Sequence, residues 1–157
     1  IVEEMTLIEN LMINRHYRQP YSRNGWINEK LMHSEASELI KQNNIRTSGS
    51  FAKAKTLSGG NKQKLIVARE ITRNPSLLIA VHPTRGVDIG AEEFIRNQLI
   101  EMRNSGGAIL LISTKLDEIM DLSNRILVME KGRIMGEMKR EEACIERIGL
   151  LMAGTGA

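Results

Sequence analysis

Thr56-Leu57-Ser58-Gly59-Gly60-Asn61-Lys62-Gln63-Lys64 is the stretch around which the chain is organised. A hydroxyl, two glycines and an amide open an amphipathic helix. Leu65, Ala68 and Ile71 lie on one face, with Lys62, Lys64, Arg69 and Arg73 near the other. Ser58 suits the N-cap, because its oxygen accepts a first-turn amide that has no partner within the helix. The glycines let backbone approach a ligand closely, and a helix start carries partial positive charge and spare N–H donors. Phosphate is the anion that best matches such a site. Taken alone, the same residues also describe an ordinary capped helix behind a glycine-containing loop.

The residues downstream narrow that choice. An apolar run, Leu77-Leu78-Ile79-Ala80-Val81, is closed by His82-Pro83-Thr84-Arg85-Gly86-Val87-Asp88, and Ile109-Leu110-Leu111-Ile112-Ser113-Thr114 comes next. The first stretch resembles the signature motif of ABC-type ATPases. The second is similar to their Walker B strand and D-loop, and the third is placed like their switch-histidine strand. The resemblance runs through nearly the whole chain. Its nearest subgroup is the second cassette of the fused two-cassette ATPases that drive uptake of simple sugars and nucleosides.

The totals set bounds of their own. The 157 residues are enough for one domain with a real core and too few for two large ones. Hydrophobic content of 41% beside 26% charged residues is ordinary for a globular protein, and a net charge of +3 permits an acidic partner without demanding one. At 3% aromatics, stacking platforms for single-stranded nucleic acid are poorly supplied, so no nucleic-acid partner is expected. Cys144 is the single cysteine, which excludes an internal disulfide and fits a reducing compartment. No apolar run approaches a membrane span. The chain begins at Ile1 rather than Met, within what reads as an element, and is expected to be a piece of something longer.

Along the chain, Thr6 and Glu9 have capping-box spacing, which predicts a short helix over Leu7 to Asn14. His16 to Gly25 reads as a surface loop whose cations Arg15, His16, Arg18 and Arg23 are solvated, with an acidic partner as the alternative. Asn28 caps a helix through Asn43, and Ile45 to Lys55 is a linker. Asn74-Pro75 ends the signature helix. Leu77 to Val81 and Ala108 to Ile112 are continuous apolar runs, the pattern of strands buried on both faces. Asp88 caps a helix over Ile89 to Asn104, stopped by Gly106-Gly107. Thr114 and Asp117 make a second capping-box pair for a helix to Leu122. Arg125 to Met129 turns back through Lys131-Gly132 into Arg133 to Met138. A terminal helix over Glu141 to Met152 is succeeded by a frayed Ala153 to Ala157.

Strands alternating with amphipathic helices give an α/β fold with a mainly parallel sheet. Set beside the family, it is a truncated P-loop NTPase fold with a helical signature subdomain at 1–75. The C-terminal part of the nucleotide-binding core comes next at 76–140, and a terminal helix and tail at 141–157.

Hydrolysis of ATP needs a phosphate cradle, a magnesium carboxylate and a residue that positions the attacking water. The chain contains no G-x-x-x-x-G-K-[ST] loop. Where the family's Walker B strand ends in Asp-Glu, this chain has Val81-His82, and Thr114 holds the switch-histidine position. Val81 cannot ligate magnesium. His82 reads as a spacer rather than a base, because no magnesium carboxylate stands beside it. Val81, His82 and Thr114 therefore describe a degenerate half-site, with no catalytic residue intact and no metal ligand.

The half-site offered to another cassette is complete. In the family, each nucleotide lies between the phosphate loop of one cassette and the signature of the other. The resemblance thus assigns Ser58, Gly59, Gly60, Asn61 and Gln63 to a partner's ATP, with Asp88 either a D-loop contact, a helix cap or both. It further implies ATP with magnesium in the intact transporter and neither in the isolated piece. The implied partners are a second cassette (fused or separate), transmembrane permease subunits and, indirectly, a solute-binding protein. The implied location is the cytoplasmic face of the cell membrane. A soluble ABC-type ATPase of translation or DNA repair, a basic nucleic-acid-binding module and a structural dimerisation element are the alternatives.

Overall fold

The computed structural model describes residues 1–154; the predicted fraying at 155–157 lies outside them. The chain forms two compact units. The first takes Ile1–Leu78 and Pro83–Ile109, and the second takes Ile79–His82 and the chain from Leu110. The boundary passes through a pair of neighbouring strands.

In the first unit, α1 (Leu7–Met12) starts at Thr6 in a complete capping box. The Glu9 amide donates to Thr6 Oγ1 at 3.2 Å, and the Thr6 amide donates back to the Glu9 carboxylate at 2.7 Å. That backbone bond first, and then the Thr6 hydroxyl, hold the Glu9 carboxyl below its ordinary value. A depressed carboxylate contributes stability above its unfolded value and loses it as pH falls through the folded one. Thr6→Ala keeps the backbone amide but removes the hydroxyl, and is accordingly expected to cost about 1 kcal/mol at neutral pH and to flatten the acid limb of the stability profile in part. Urea melts between neutral pH and about pH 3 read both effects, and an unchanged acid slope would contradict the assignment.

The segment read as a loop, His16 to Gly25, holds β1 (Ser22–Arg23) and the turn of a hairpin whose second strand, β2 (Trp26–Ile27), pairs with it antiparallel. Asn24 and Gly25 take positive φ of 50° and 83°, the conformation a two-residue hairpin turn requires. The long helix α2 (Glu29–Gln42) is capped by Asn28, whose side chain accepts from the Leu31 amide, and stops at Asn43. The linker closes in a short 3-10 turn at Ala54–Thr56, and α3 (Gly59–Ile71) comes after it. Leu7, Leu11, Met12, Ala36, Leu39 and Leu65 pack in one apolar core that joins α1, α2 and α3.

Strand β3 (Leu77–Val81) pairs with β4 (Ala108–Ile112), which succeeds α4 (Ile89–Asn104). The Ala108 amide donates to Ser76 and the His82 amide to Ile112, start to start and end to end, so the two strands run parallel. Burial differs from the expectation. Leu77, Ile79 and Val81 are 55–59% exposed, and Leu110 and Ile112 are nearly as open. Among the described residues this sheet has two strands, so one face of alternate side chains has nothing packed over it.

The second unit holds α5 (Leu116–Leu122), the antiparallel pair β5 (Arg125–Glu130) and β6 (Arg133–Lys139), and α6 (Ile145–Met152). Ile126, Val128, Met138, Ile148 and Leu151 form its core. Two expectations need correction. Lys115, not Thr114, precedes α5 at the N-cap, and no side-chain cap bond forms. Ser113 Oγ accepts from the Lys115 amide at 3.1 Å, a local serine turn that precedes a helix start one residue later than expected. The terminal helix is also shorter than predicted. After a 3-10 turn at Arg140–Glu142 come extended Ala143 and Cys144, and α6 begins where Ile148 and Leu151 reach the core. The strands thus fall into three two-stranded sheets, one parallel and two antiparallel, with no ladder joining β3–β4 to β5–β6 among the described residues.

Candidate functional site: the start of the third helix

Ser58 sits at φ −64° and ψ 160° as the N-cap of α3, and its hydroxyl accepts from the Asn61 amide at 3.4 Å and from Asn61 Nδ2 at 2.9 Å. Asn61 Oδ1 in turn accepts from the Arg46 amide at 2.8 Å. The Asn61 side chain therefore ties the helix start to the preceding linker, a role that its position in the sequence does not disclose. Ser58 and Gly59 are exposed, while Gly60 is buried and Gln63 half-buried. Beside them, Lys62 pairs with Glu3 at 2.5 Å, and the Lys64 ammonium stands 4.7 Å from the Phe94 ring centroid.

The two glycines do different work. A Cβ on Gly59 would meet only the Gly86 carbonyl oxygen, at an ordinary 3.5 Å. A Cβ on Gly60 would stand 2.9 Å from Asp88 Oδ2 and 3.0 Å from Ala91 Cβ, so a side chain at that position would force Asp88 and Ala91 to shift. Asp88 itself caps α4: its Oδ1 accepts from the Ala91 amide at 2.9 Å, leaving Oδ2 toward Gly60. Close approach of α3 to the start of α4 thus brings Ser58, Gly59, Gly60, Asn61 and Asp88 into one place, with Gly86 at a positive φ of 72° turning the chain between β3 and α4. The exposed helix start presents backbone donors and positive dipole to solvent, the arrangement that receives an anion.

In the second unit, His82 leaves the end of β3 with φ 46°, its amide bonded to Ile112 at 2.8 Å. Thr114 lies two residues beyond that partner and is exposed, as is Val81. The end of β3 carries no carboxylate, and among the described residues no group of three or more His, Cys, Asp or Glu is placed to hold a metal. The donor set here does not fit magnesium, which is held through oxygen ligands and carboxylates.

No protein-family model matches the chain. It is 45% identical over 155 residues to the guanosine import ATP-binding protein NupO of Bacillus subtilis (strain 168), covering 99% of this chain and 30% of that protein. It is 44% identical to the nucleoside import ATP-binding protein NupA of Lactococcus lactis subsp. cremoris (strain MG1363), covering 98% and 30%. The chain therefore spans about a third of the length of these relatives. Among solved structures it superposes on MJ1267, an ATP-binding cassette of an ABC transporter, in its ADP conformation. That match has a TM-score of 0.68 and 25% identity, over 96% of this chain and 60% of that one. It shares the fold of the dimeric ATP-binding cassette MJ0796 bound to ADP and phosphate, with a TM-score of 0.74 and 21% identity, over 89% and 59%. The chain takes the fold of these cassettes, and its similarity to the import ATP-binding proteins runs through nearly all of its own length. It belongs to the ATP-binding cassettes of ABC transporters.

Proposed function

We propose that this chain is part of the second cassette of an importer for simple sugars or nucleosides, and that its chemical contribution is the signature it offers in trans. In this reading Ser58, Gly59, Gly60, Asn61 and Gln63 meet the nucleotide held by a partner cassette's phosphate loop. Asp88 serves as both helix cap and D-loop contact. Val81, His82 and Thr114 mark a half-site without hydrolytic power. The segment 1–75 acts as the helical signature subdomain, 76–140 as the rear of the nucleotide-binding core, and 141–157 as a terminal element.

The observation that carries this reading is the start of α3. Its Ser58 and Gly59 are exposed, while the buried Gly60 is pressed against Asp88 with no room for a Cβ. Such tolerances suit close docking of an anionic ligand from outside the chain. The open apolar face of β3–β4 supports the same reading, because a face of that character is what contact with further polypeptide covers. The partners are a second cassette and membrane permease subunits, with a solute-binding protein acting through them. The place of action is the cytoplasmic face of the membrane. Among the described residues no helix is long and apolar enough to cross one.

The test has two arms. Calorimetry with magnesium-ATP and a phosphate-release assay on the pure chain are expected to give weak binding without turnover. Sedimentation with a hydrolysis-deficient cassette that carries a phosphate loop is expected to show association that depends on ATP. Turnover by the chain alone, or association indifferent to nucleotide, would overturn the reading.

A further inference from the structure

The signature leaves one exposed surface unexplained. Trp26 is 84% exposed and Ile27 49%, on a hairpin that the sequence presents as a basic loop. Large apolar side chains at a strand pair are ordinarily packed, so their display is the informative observation. Arg23, Asn24, Trp26, Ile27, Glu29 and Lys30 line a shallow groove here. Arg23 lies directly across from Trp26 in the antiparallel register, which places a guanidinium on the same face as the indole. Arg18 is exposed at the foot of the hairpin, where its carbonyl accepts from the amides of Tyr21 and Ser22. Among the described residues neither Arg23 nor Lys30 has an ion-pair partner, and Glu29 is the groove's one carboxylate.

The hairpin is also held still. Tyr21, which opens it, is 6% exposed and belongs to the main core. Its hydroxyl accepts from Arg15 and donates to Glu35, each at 2.5 Å, and Arg15 pairs with Glu35. Burial first, and then the bond to Glu35, keep the Tyr21 phenol protonated to higher pH than usual, which preserves that donor. On the far side the Asn28 amide donates to the Tyr21 carbonyl at 2.8 Å while the Asn28 side chain caps α2. An aromatic anchor on a fixed platform has little conformational freedom left to lose when it is covered.

We propose that this groove is a docking surface for an acidic, amphipathic protein segment, one that sets an apolar side chain against Trp26 and Ile27 and carboxylates toward Arg23 and Lys30. Trp and Arg are the side chains that most often dominate such contacts. Arg23 and Lys30, which have no ion-pair partner among the described residues, fix the sign of the charge that meets them. The surface shares no residue with the signature.

Trp26 is the chain's sole tryptophan, so its emission reports on this groove alone. The probe is a labelled synthetic helix of leucine and glutamate, with its leucine–lysine counterpart and phosphatidylserine vesicles as comparators. Saturable binding of the glutamate peptide is expected, with a blue shift of Trp26 emission and weakening by added salt. Arg23→Glu combined with Lys30→Glu should reduce affinity about tenfold or more while retaining the reporter. Trp26→Ala, assayed by polarisation of the labelled peptide, should do the same, and at 84% exposure it removes nothing from the core. Circular dichroism confirms that each variant folds. Absent binding of the glutamate peptide, equal binding of the lysine peptide, a response confined to vesicles, or full affinity in the charge-reversed variant would each overturn the proposal.

Discussion

Gly59→Asp is expected to remove most ATP turnover from the intact transporter, while Val81→Ala, His82→Ala and Thr114→Ala leave it near the parent rate. The substitution is informative because the fold tolerates it. A Cβ at Gly59 meets only a carbonyl oxygen at 3.5 Å, so a loss of activity reads the ligand-facing surface and not a collapsed helix. An aspartate at that position adds negative charge beside the anion proposed for the helix start, and a first-turn acid is otherwise comfortable in a helix. Loss of a positioned donor to a developing oxyanion costs roughly 100- to 1,000-fold in rate, and an added like charge acts in the same direction. Gly60 is unsuitable for the experiment, since any side chain there strikes Asp88 and Ala91.

The three control positions rest on geometry as well. His82 holds β3 to β4 through its backbone amide, which the alanine keeps. Val81 and Thr114 are exposed. ATPase rates in the reconstituted full-length transporter decide the matter. Normal turnover with Gly59→Asp, or silence with His82→Ala, would show that the trans-signature reading is wrong.

Leu65→Ala is expected to destabilise the first unit by about 2–5 kcal/mol, the range for truncating a fully buried leucine. Leu65 is 1% exposed, and its side chain joins the core that Leu7, Leu11 and Met12 bring from α1 and that Ala36, Leu39 and Ile40 bring from α2. Loss of that contact leaves a cavity at the place where α3 is held, so the exposed donors at Ser58 and Gly59 lose their fixed orientation too. Urea unfolding monitored by circular dichroism should show a lowered midpoint with an unchanged slope. A shift worth less than about 1 kcal/mol would mean that the site can collapse around the smaller side chain, against the packing described.

Most element positions were legible because the signals that set them are local. Thr6, Asn28, Ser58 and Asp88 each accept an amide three residues on, and each marks a helix start in sequence and structure alike. The hairpin of β1 and β2 was equally local, since Asn24-Gly25 is the strongest short signal for such a turn. The cations around it obscured that signal, by making the stretch resemble a solvated loop. Thr114 misled for the opposite reason: the residue types suited a capping box, but the helix starts one residue later, with Lys115 at the N-cap and no side-chain cap bond.

Burial was the property least available from pattern. The apolar runs of β3 and β4 read as strands covered on both faces, yet the face bearing Leu77, Ile79 and Val81 is open, because covering it requires residues distant in sequence or in another chain. Neither could spacing reveal that Asn61 binds the Arg46 backbone, that Gly60 abuts Asp88, or that Trp26 is displayed and not packed. By itself, then, the sequence determined where most helices and strands begin and end and which family's motifs they carry, since capping, turns and apolar period act within a few residues. The tertiary structure alone decided which glycine admits a side chain, which oxygen of Asp88 is left over from capping, and which apolar faces stay exposed. Those outcomes depend on contacts between elements far apart in the chain, and local propensity carries no record of them.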